Sequence, residues 1–210
     1  MLQVNWVVGD ATDPKTVDSA LRSADAAVHA IGLLFDVDSG LSGLNKIVSG
    51  SGSLPGEDST YDNITRKTAF NVITAIEKKQ NFLSQKKFPF AFVSAAEAGW
   101  PEVTFGETVD GLAPEWLNKY LIAKRAVEAK LSVAKGMRPC IYRPSLIWDW
   151  TKFDVLPVIP VFNLAAAVGV PFVDKTVRVE TLADAIVAGI ENDDVEGVQR
   201  VTEMEALSKR

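Results

Sequence analysis

The strongest constraint on this chain is a rhythm. Three short apolar runs, residues 26–31, 88–93 and 140–142, are separated by stretches whose apolar residues recur at helical spacing. Short strands alternating with helices form βαβ units, which implies a mostly parallel, doubly wound sheet with helices on both faces. With 210 residues, 47% of them hydrophobic, the chain suits one such domain with a sizeable core. The three runs are expected to be adjacent interior strands of that sheet.

The rest of the chain fits the same rhythm. Residues 4–8 read as an opening strand running into Gly9-Asp10. Asp13 before Pro14 marks a helix start, with Asp13 as N-cap and Pro14 at the first helical position. Val17, Ala20 and Leu21 give that helix an apolar face. Residues 33–59, rich in Gly and Ser, read as a long loop, and 60–79 as a helix carrying Ile64, Thr68, Val72, Ile73 and Ile76. A second long helix is expected over 114–134, a strand and its exit around Arg143-Pro144, a short helix over 181–190 and a last strand over 198–202.

Charge and rare residues remove several function classes. A net charge of −5 with mixed signs gives no electrostatic footprint for nucleic acid. Cys140 is the single cysteine, so no disulfide can close within the chain and a reducing compartment is the simple reading. One Cys and one His, His29, make no zinc ligand set, and no metal site is expected. His29 reads as a hydrogen-bonded strand-end residue, with a cofactor contact as the alternative. Residues 155–173 hold only Asn163 as a strongly polar residue, but Pro157, Pro160, Gly169 and Pro171 oppose one straight membrane-spanning helix. That stretch reads as a lobe helix packed on the sheet; the alternative is an apolar wall for a greasy substrate or a docking face on a membrane complex.

In such sheets ligands bind at the carboxyl ends of the strands. Gly9-Asp10, Gly32, Ser94 and Arg143-Pro144 all fall there. Tyr120 and Lys124, four apart on one helix, share a face about one turn apart. A phenol beside an ammonium ionises more easily and can exchange a proton with a carbonyl or alcohol.

The ordered set Gly9-Asp10, Val28-His29-Ala30-Ile31-Gly32, Phe92-Val93-Ser94-Ala95-Ala96, Tyr120 with Lys124-Arg125, Arg143-Pro144 and Val177-Arg178-Val179-Glu180-Thr181-Leu182-Ala183-Asp184 resembles the short-chain dehydrogenase/reductase superfamily. More narrowly it resembles the atypical extended branch, which includes an NADPH-binding accessory subunit of respiratory complex I, a protein of coenzyme Q assembly and plastid relatives. The resemblance implies catalytic roles for Ser94, which would orient a substrate carbonyl, Tyr120 as general acid/base, and Lys124, which would hold the nicotinamide ribose and lower the Tyr120 pKa. It implies cofactor contacts at Asp10 (adenine), at Ala30, Ile31 and Gly32 (ribose), and at Pro144 and Ser145 beside the nicotinamide. The cofactor would be NADP or NAD and the substrate a carbonyl or quinone-like small molecule. The alternative is a non-catalytic nucleotide-binding subunit of a mitochondrial or plastid membrane complex, in quinone biosynthesis or respiratory complex I. A mitochondrial location is expected, with chloroplast as the alternative.

One departure is large. The Gly-x-x-Gly-x-x-Gly turn that opens such domains and binds the pyrophosphate is absent; the Gly-rich stretch from Ser49 to Gly56 has the wrong spacing. The first strand here matches the third strand of the family. The expectation is therefore a single dinucleotide-binding domain over 1–210, N-terminally incomplete by about 50–80 residues, with 150–180 in a small substrate lobe. Residues 4–8 should then lack a covalently connected neighbour on the side facing 26–31.

Overall fold

In the computed structural model, residues 4–45, 55–80, 86–149, 159–169 and 172–209 are described. The central sheet is built from β1 (Ala27–His29), β2 (Phe88–Val93), β3 (Met137–Tyr142) and β6 (Gly197–Gln199), in the order β1-β2-β3-β6. Every pairing is parallel, with Ala27 opposite Phe90, Ala91 opposite Cys140 and Ile141 opposite Val198. A two-stranded parallel sheet joins β4 (Ile147–Trp148) to β5 (Val177–Arg178). The helices are α1 (Pro14–Leu21), α2 (Thr68–Lys79, entered through a π-helical stretch, Asp62–Lys67), α3 (Gly106–Gly111), α4 (Glu115–Ser132), α5 (Ile159–Ala167), α6 (Val179–Glu191) and α7 (Val201–Leu207).

The two faces of β2 explain the layering. Successive side chains point to opposite sides of a strand. Phe88, Phe90 and Phe92 accordingly fill one side against Ala69, Ile73 and Ile76 of α2 and Val127 and Leu131 of α4. Ala91 faces the other side, where its small size lets α6 and α7 pack close through Leu182, Ala185, Ile186 and Met204. Tyr142 of β3 crosses into that second layer, and its hydroxyl donates to the Ala185 carbonyl at 3.0 Å. This contact needs Gly189, because a Cβ there would lie 2.0 Å from the Tyr142 hydroxyl oxygen. Arg138 on the same strand closes the end of α6, donating to the carbonyls of Gly189 and Ile190 at 2.8 Å each. Each large side chain fully buried in these layers contributes about 1.5–3 kcal/mol.

Several expectations hold in detail. The Asp13 carboxylate accepts from the Lys15 and Thr16 amides, with Pro14 opening α1. Residues 88–93 form a strand with the expected bounds. His29 is buried at 2% exposure and shares a 2.8 Å hydrogen bond with the Thr68 hydroxyl. Cys140 is a free, buried thiol.

Others are corrected. Residues 4–8 form no strand; they are exposed, Trp6 at 92% and Val8 at 102%, because no described strand offers them a ladder. β1 is adjacent to β2 but is the terminal strand of the described sheet rather than an interior one. Ala20 faces solvent, leaving Val17 and Leu21 to seat α1. Residues 198–202 divide: β6 stops at Gln199, and Val201 begins α7, in a capping box where the Arg200 amide donates to the Glu203 carboxylate. The described parts of 33–59 hold two 3-10 turns, and Phe35, Asp36 and Asn45 are buried there. Residues 155–158, 170 and 171 of the apolar stretch and most of the Gly-rich stretch lie outside the described residues, and the described part of the former holds α5. No described helix is long and apolar enough to cross a membrane.

Candidate functional site

The carboxyl ends of β1, β2 and β3 meet the face of α4 that carries Tyr120, Lys124 and Glu128, four residues apart each time. Lys124 is the centre of this arrangement. It is 3% exposed, donates from Nζ to the Val93 carbonyl at 2.7 Å, and lies over the rings of Phe92 and Tyr120 at 5.1 and 5.6 Å. Burial pulls its ammonium down to about 8. A Cβ on Gly32 would stand 3.6 Å from Lys124 Nζ, so the bare backbone after β1 comes close to the ammonium. Ala30, Ile31 and Gly32 are exposed at that mouth.

Tyr120 is half-buried, and its ring meets Tyr61 edge-on at 5.7 Å. The phenol is pushed up, first by burial and then by Glu97 and Tyr61. Any acidifying pull of Lys124 is outweighed, and the phenol stays protonated at neutral pH. Its hydroxyl makes no described hydrogen bond.

Ser94 lies at the end of β2, buried at 3% exposure, with its amide bonded to the Tyr142 carbonyl at 2.7 Å. Its hydroxyl donates to Glu128 Oε1 at 2.5 Å. Arg143 holds the same carboxylate through Nε at 3.1 Å and Nη2 at 2.6 Å, and grips Glu102 at 2.8 and 2.6 Å. The Ser94 hydrogen is thus committed to a carboxylate, and only the oxygen's lone pairs remain for a ligand. Sequence reasoning gave Glu128 no role, although its place one turn after Lys124 was a readable signal. Glu102 had no such signal, being 41 residues from Arg143.

The remaining expected residues sit around this centre. The Pro144 carbonyl accepts from the Ala96 amide at 2.8 Å, tying the exit of β3 to the segment after Ser94. The Ser145 hydroxyl instead donates to the Lys175 carbonyl at 2.5 Å. Asp10 is exposed and accepts from the Thr12 amide at 2.7 Å, and the Thr12 hydrogen bonds hold its carboxyl below the usual range. No described hydrogen bond or ion pair joins Asp10 to Ser94, Tyr120 or Lys124. Among the described residues no group of three or more His, Cys, Asp or Glu could hold a metal ion.

No protein-family model matches the chain. MIOREX complex component 2 of Saccharomyces cerevisiae is 22% identical over 241 residues, covering 97% of this chain and 81% of the yeast protein. Three solved structures share the fold at a TM-score of 0.55 each. One, from Bacillus halodurans, carries the name of an NAD-dependent epimerase/dehydratase and is 18% identical, with 91% of this chain and 69% of that one covered. The second is the Bordetella bronchiseptica enzyme WbmG in complex with NAD and UDP, 15% identical, with 93% and 56% covered. The third is RMD from Pseudomonas aeruginosa complexed with NADPH, 14% identical, with 93% and 64% covered. The chain therefore spans less than two thirds of the length of the latter two. Its fold is that of NAD(P)-binding Rossmann-type enzymes, as expected from the sequence.

Proposed function

We propose that this chain is an NAD(P)-dependent oxidoreductase of the short-chain dehydrogenase/reductase kind, acting on a carbonyl or quinone-like substrate. The carrying observation is Lys124, a buried ammonium fixed at the carboxyl end of β2 with the glycine backbone of Gly32 against it. A ribose hydroxyl is the type of ligand such an ammonium and an open backbone recognise. By the resemblance, Ala30, Ile31 and Gly32 would contact the ribose and Pro144 and Ser145 the nicotinamide; the exposed backbone of 30–32 beside Lys124 supports the first of these. They offer no glycine turn for its pyrophosphate, and the adenine contact of Asp10 rests on resemblance alone.

When bound, the nucleotide supplies hydride chemistry. Tyr120 supplies the proton: its hydroxyl is protonated and free of hydrogen bonds, so it can donate to a carbonyl oxygen as negative charge develops there. Ser94 accepts rather than donates, because Glu128 holds its hydrogen; it would receive a hydrogen bond from a product hydroxyl or a bridging water. The described residues 159–169 and 172–180 would contribute to a small lobe over the substrate.

The test is oxidation of NADPH and NADH by the purified protein with a panel of quinones and small carbonyl compounds. Tyr120→Phe is expected to lower turnover at least a hundredfold with unchanged thermal stability. Turnover surviving in Tyr120→Phe would overturn the assignment.

A second reading has its own support. The committed Ser94 hydrogen and the raised Tyr120 phenol favour a subunit that holds a nucleotide without turning it over, and the yeast relative is a component of a complex. A mitochondrial location, with a membrane complex as partner, belongs to this reading. Saturable nucleotide binding without turnover, and recovery of the native protein in a large assembly, would select it.

A further inference from the structure

The segment after Ser94 brings a carboxyl within electrostatic reach of the Tyr120 phenol. Glu97 stands three residues past Ser94, in the 3-10 stretch Ala96–Glu102. Ala95 and Ala98 on either side are buried in one apolar cluster with Leu121, and Trp100, Leu117 and Tyr120 pack against it. The backbone here is pinned. The Ala96 amide donates to the Pro144 carbonyl at 2.8 Å, and Arg125 donates to the carbonyls of Ala98 at 3.0 Å and Glu97 at 3.2 Å. The lobe lies against the same stretch: the Trp100 indole donates to the Phe172 carbonyl at 3.4 Å, and the two rings meet edge-on at 6.5 Å.

Glu97 is partly exposed, and among the described residues no cation or hydroxyl holds its side chain; only its own amide reaches the carboxyl. Arg125, the cation on its backbone, is answered by Asp110 at 2.9 and 2.6 Å. Burial pushes the Glu97 carboxyl up, its amide opposes the rise, and Asp174 of the lobe adds to it. The same carboxyl acts on the Tyr120 phenol. The surroundings of Tyr120 therefore hold hydrogen-bond acceptors in excess: the Glu97 carboxyl, and the Ser94 oxygen whose hydrogen is committed to Glu128. The free hydroxyl donor is Tyr120, with Lys124 reserved for the ribose. A plain ketone or quinone brings only acceptors, so it would leave the Glu97 carboxyl unmatched on binding, which costs affinity.

We propose that Glu97 selects the substrate, and that the substrate is a carbonyl compound bearing a hydroxyl on the neighbouring carbon. The inference rests on the oxidoreductase reading and adds the substrate class to it. Tyr120 donates to the carbonyl oxygen, and the substrate hydroxyl bonds the Glu97 carboxyl. A hydroxyl suits that position better than an ammonium, because it donates to a carboxylate and accepts from a protonated carboxyl. Reduction takes a hydride from the nicotinamide nucleotide to the carbonyl carbon and the Tyr120 proton to its oxygen. The products are a vicinal diol and the oxidised nucleotide, and the phenol regains its proton from water.

The experiment compares α-hydroxyacetophenone with α-methoxyacetophenone, in which a methyl group replaces the donor hydrogen. With NADPH or NADH, kcat/KM is expected to favour the hydroxy ketone by at least about tenfold. Glu97→Leu is expected to bring that ratio to within about threefold, through a higher KM for the hydroxy ketone rather than a lower kcat. Glu97→Gln, which keeps one acceptor oxygen, is expected to leave an intermediate ratio. Binding is read without turnover, by amide chemical shifts with NADP+ present. The hydroxy ketone is expected to shift the amides of Glu97 and Tyr120 at about a tenth of the concentration that the methoxy ketone needs. A ratio near one in the unaltered protein, a ratio unchanged in Glu97→Leu, or shifts mapping away from Glu97 would each overturn the proposal. Selective binding without turnover would instead sink the oxidoreductase reading and keep this one; turnover without selectivity would do the reverse. Should Glu97→Leu fail to fold, an unchanged ratio in Glu97→Gln overturns the proposal.

Discussion

Two flanks of the same row of strand ends are built on opposite principles. At the carboxyl end of β3 the buried charge is answered, Arg143 by Glu128 and Glu102 and the Glu128 carboxylate again by Ser94, whereas at the strand's amino end Arg138 Nε is left without a partner. On the β1 flank buried polar atoms are left open: His29 Nδ1, Thr65 Oγ1 and Asp36 Oδ1 have no partner. The ammonium of Lys124 stands between them with one carbonyl partner. Folding alone favours the first arrangement, since an unpaired buried polar group costs about 1–3 kcal/mol. The second arrangement carries that cost inside the fold, beside a π-helical stretch of the kind often found at functional sites. Stability should therefore reside mainly at the carboxyl end of β3.

The sharpest way to break that contrast is Glu128→Ala. It strips Arg143 of its buried partner and leaves only Glu102, whose side chain is 53% exposed. A loss of about 3–5 kcal/mol is expected in urea unfolding; a loss under about 1 kcal/mol would mean that the β3 flank is not the stabilising one.

His29 sharpens the contrast from the other flank. Burial, and then the Lys124 ammonium, pull its imidazole down to about 4 from an ordinary 6.5. The unfolded chain thus takes up a proton first as pH falls. The stability from neutral, buried His29 is present in full above pH 6.5 and is lost between there and about 4, to the extent of about 3 kcal/mol. His29→Gln, which can still donate to Thr68, is expected to remove that part of the slope. Superimposable pH profiles of the two proteins would sink this account.

Lys124 acts in the alkaline range with the same sign. Its folded pKa of about 8 lies below the ordinary 10.5, so its burial penalty is relieved as pH rises. Stability is expected to climb by about 2 kcal/mol between pH 8 and 9.5. Above pH 10 the Tyr61 phenol, raised to about 12, reverses the trend. Lys124→Met is expected to be more stable at pH 7 and flat over that interval, read by denaturant midpoints at each pH.

The smallest expected effect is a matched pair of hydroxyl deletions. Thr65→Val removes an unpartnered buried hydroxyl and is expected to stabilise by up to about 1 kcal/mol. Ser94→Ala removes one bonded to a carboxylate and is expected to destabilise by about 1–2 kcal/mol. Equal signs in thermal melts would erase the distinction between the flanks.

What the sequence by itself determined is local and periodic. Residues 88–93 are a short apolar run between helical stretches, and that was enough to place a strand before any partner was known. Asp13-Pro14 announced its helix because cap and first-turn preferences act within one turn. Tyr120 and Lys124 were readable as a pair for the same reason: four residues on a helix put two side chains on one face wherever that helix lies. The adjacency of β1, β2 and β3 followed from short apolar runs alternating with helical stretches. The tertiary structure alone decided the rest, because those outcomes turn on which distant groups win a competition. Residues 4–8 have strand composition, but a strand exists only against a neighbour. Val201 has strand propensity, but the capping box at Arg200 and Glu203 and the core against α6 made it helical. Ser94 looked ready to donate to a ligand, and a carboxylate 34 residues away took its hydrogen instead. Asp36 falls in the stretch that read only as a long loop, and Asn45 and Tyr61 hold that loop so that Asp36 lies below the surface. Such contacts depend on where the packed elements bring side chains together, and no spacing along the chain encodes that directly.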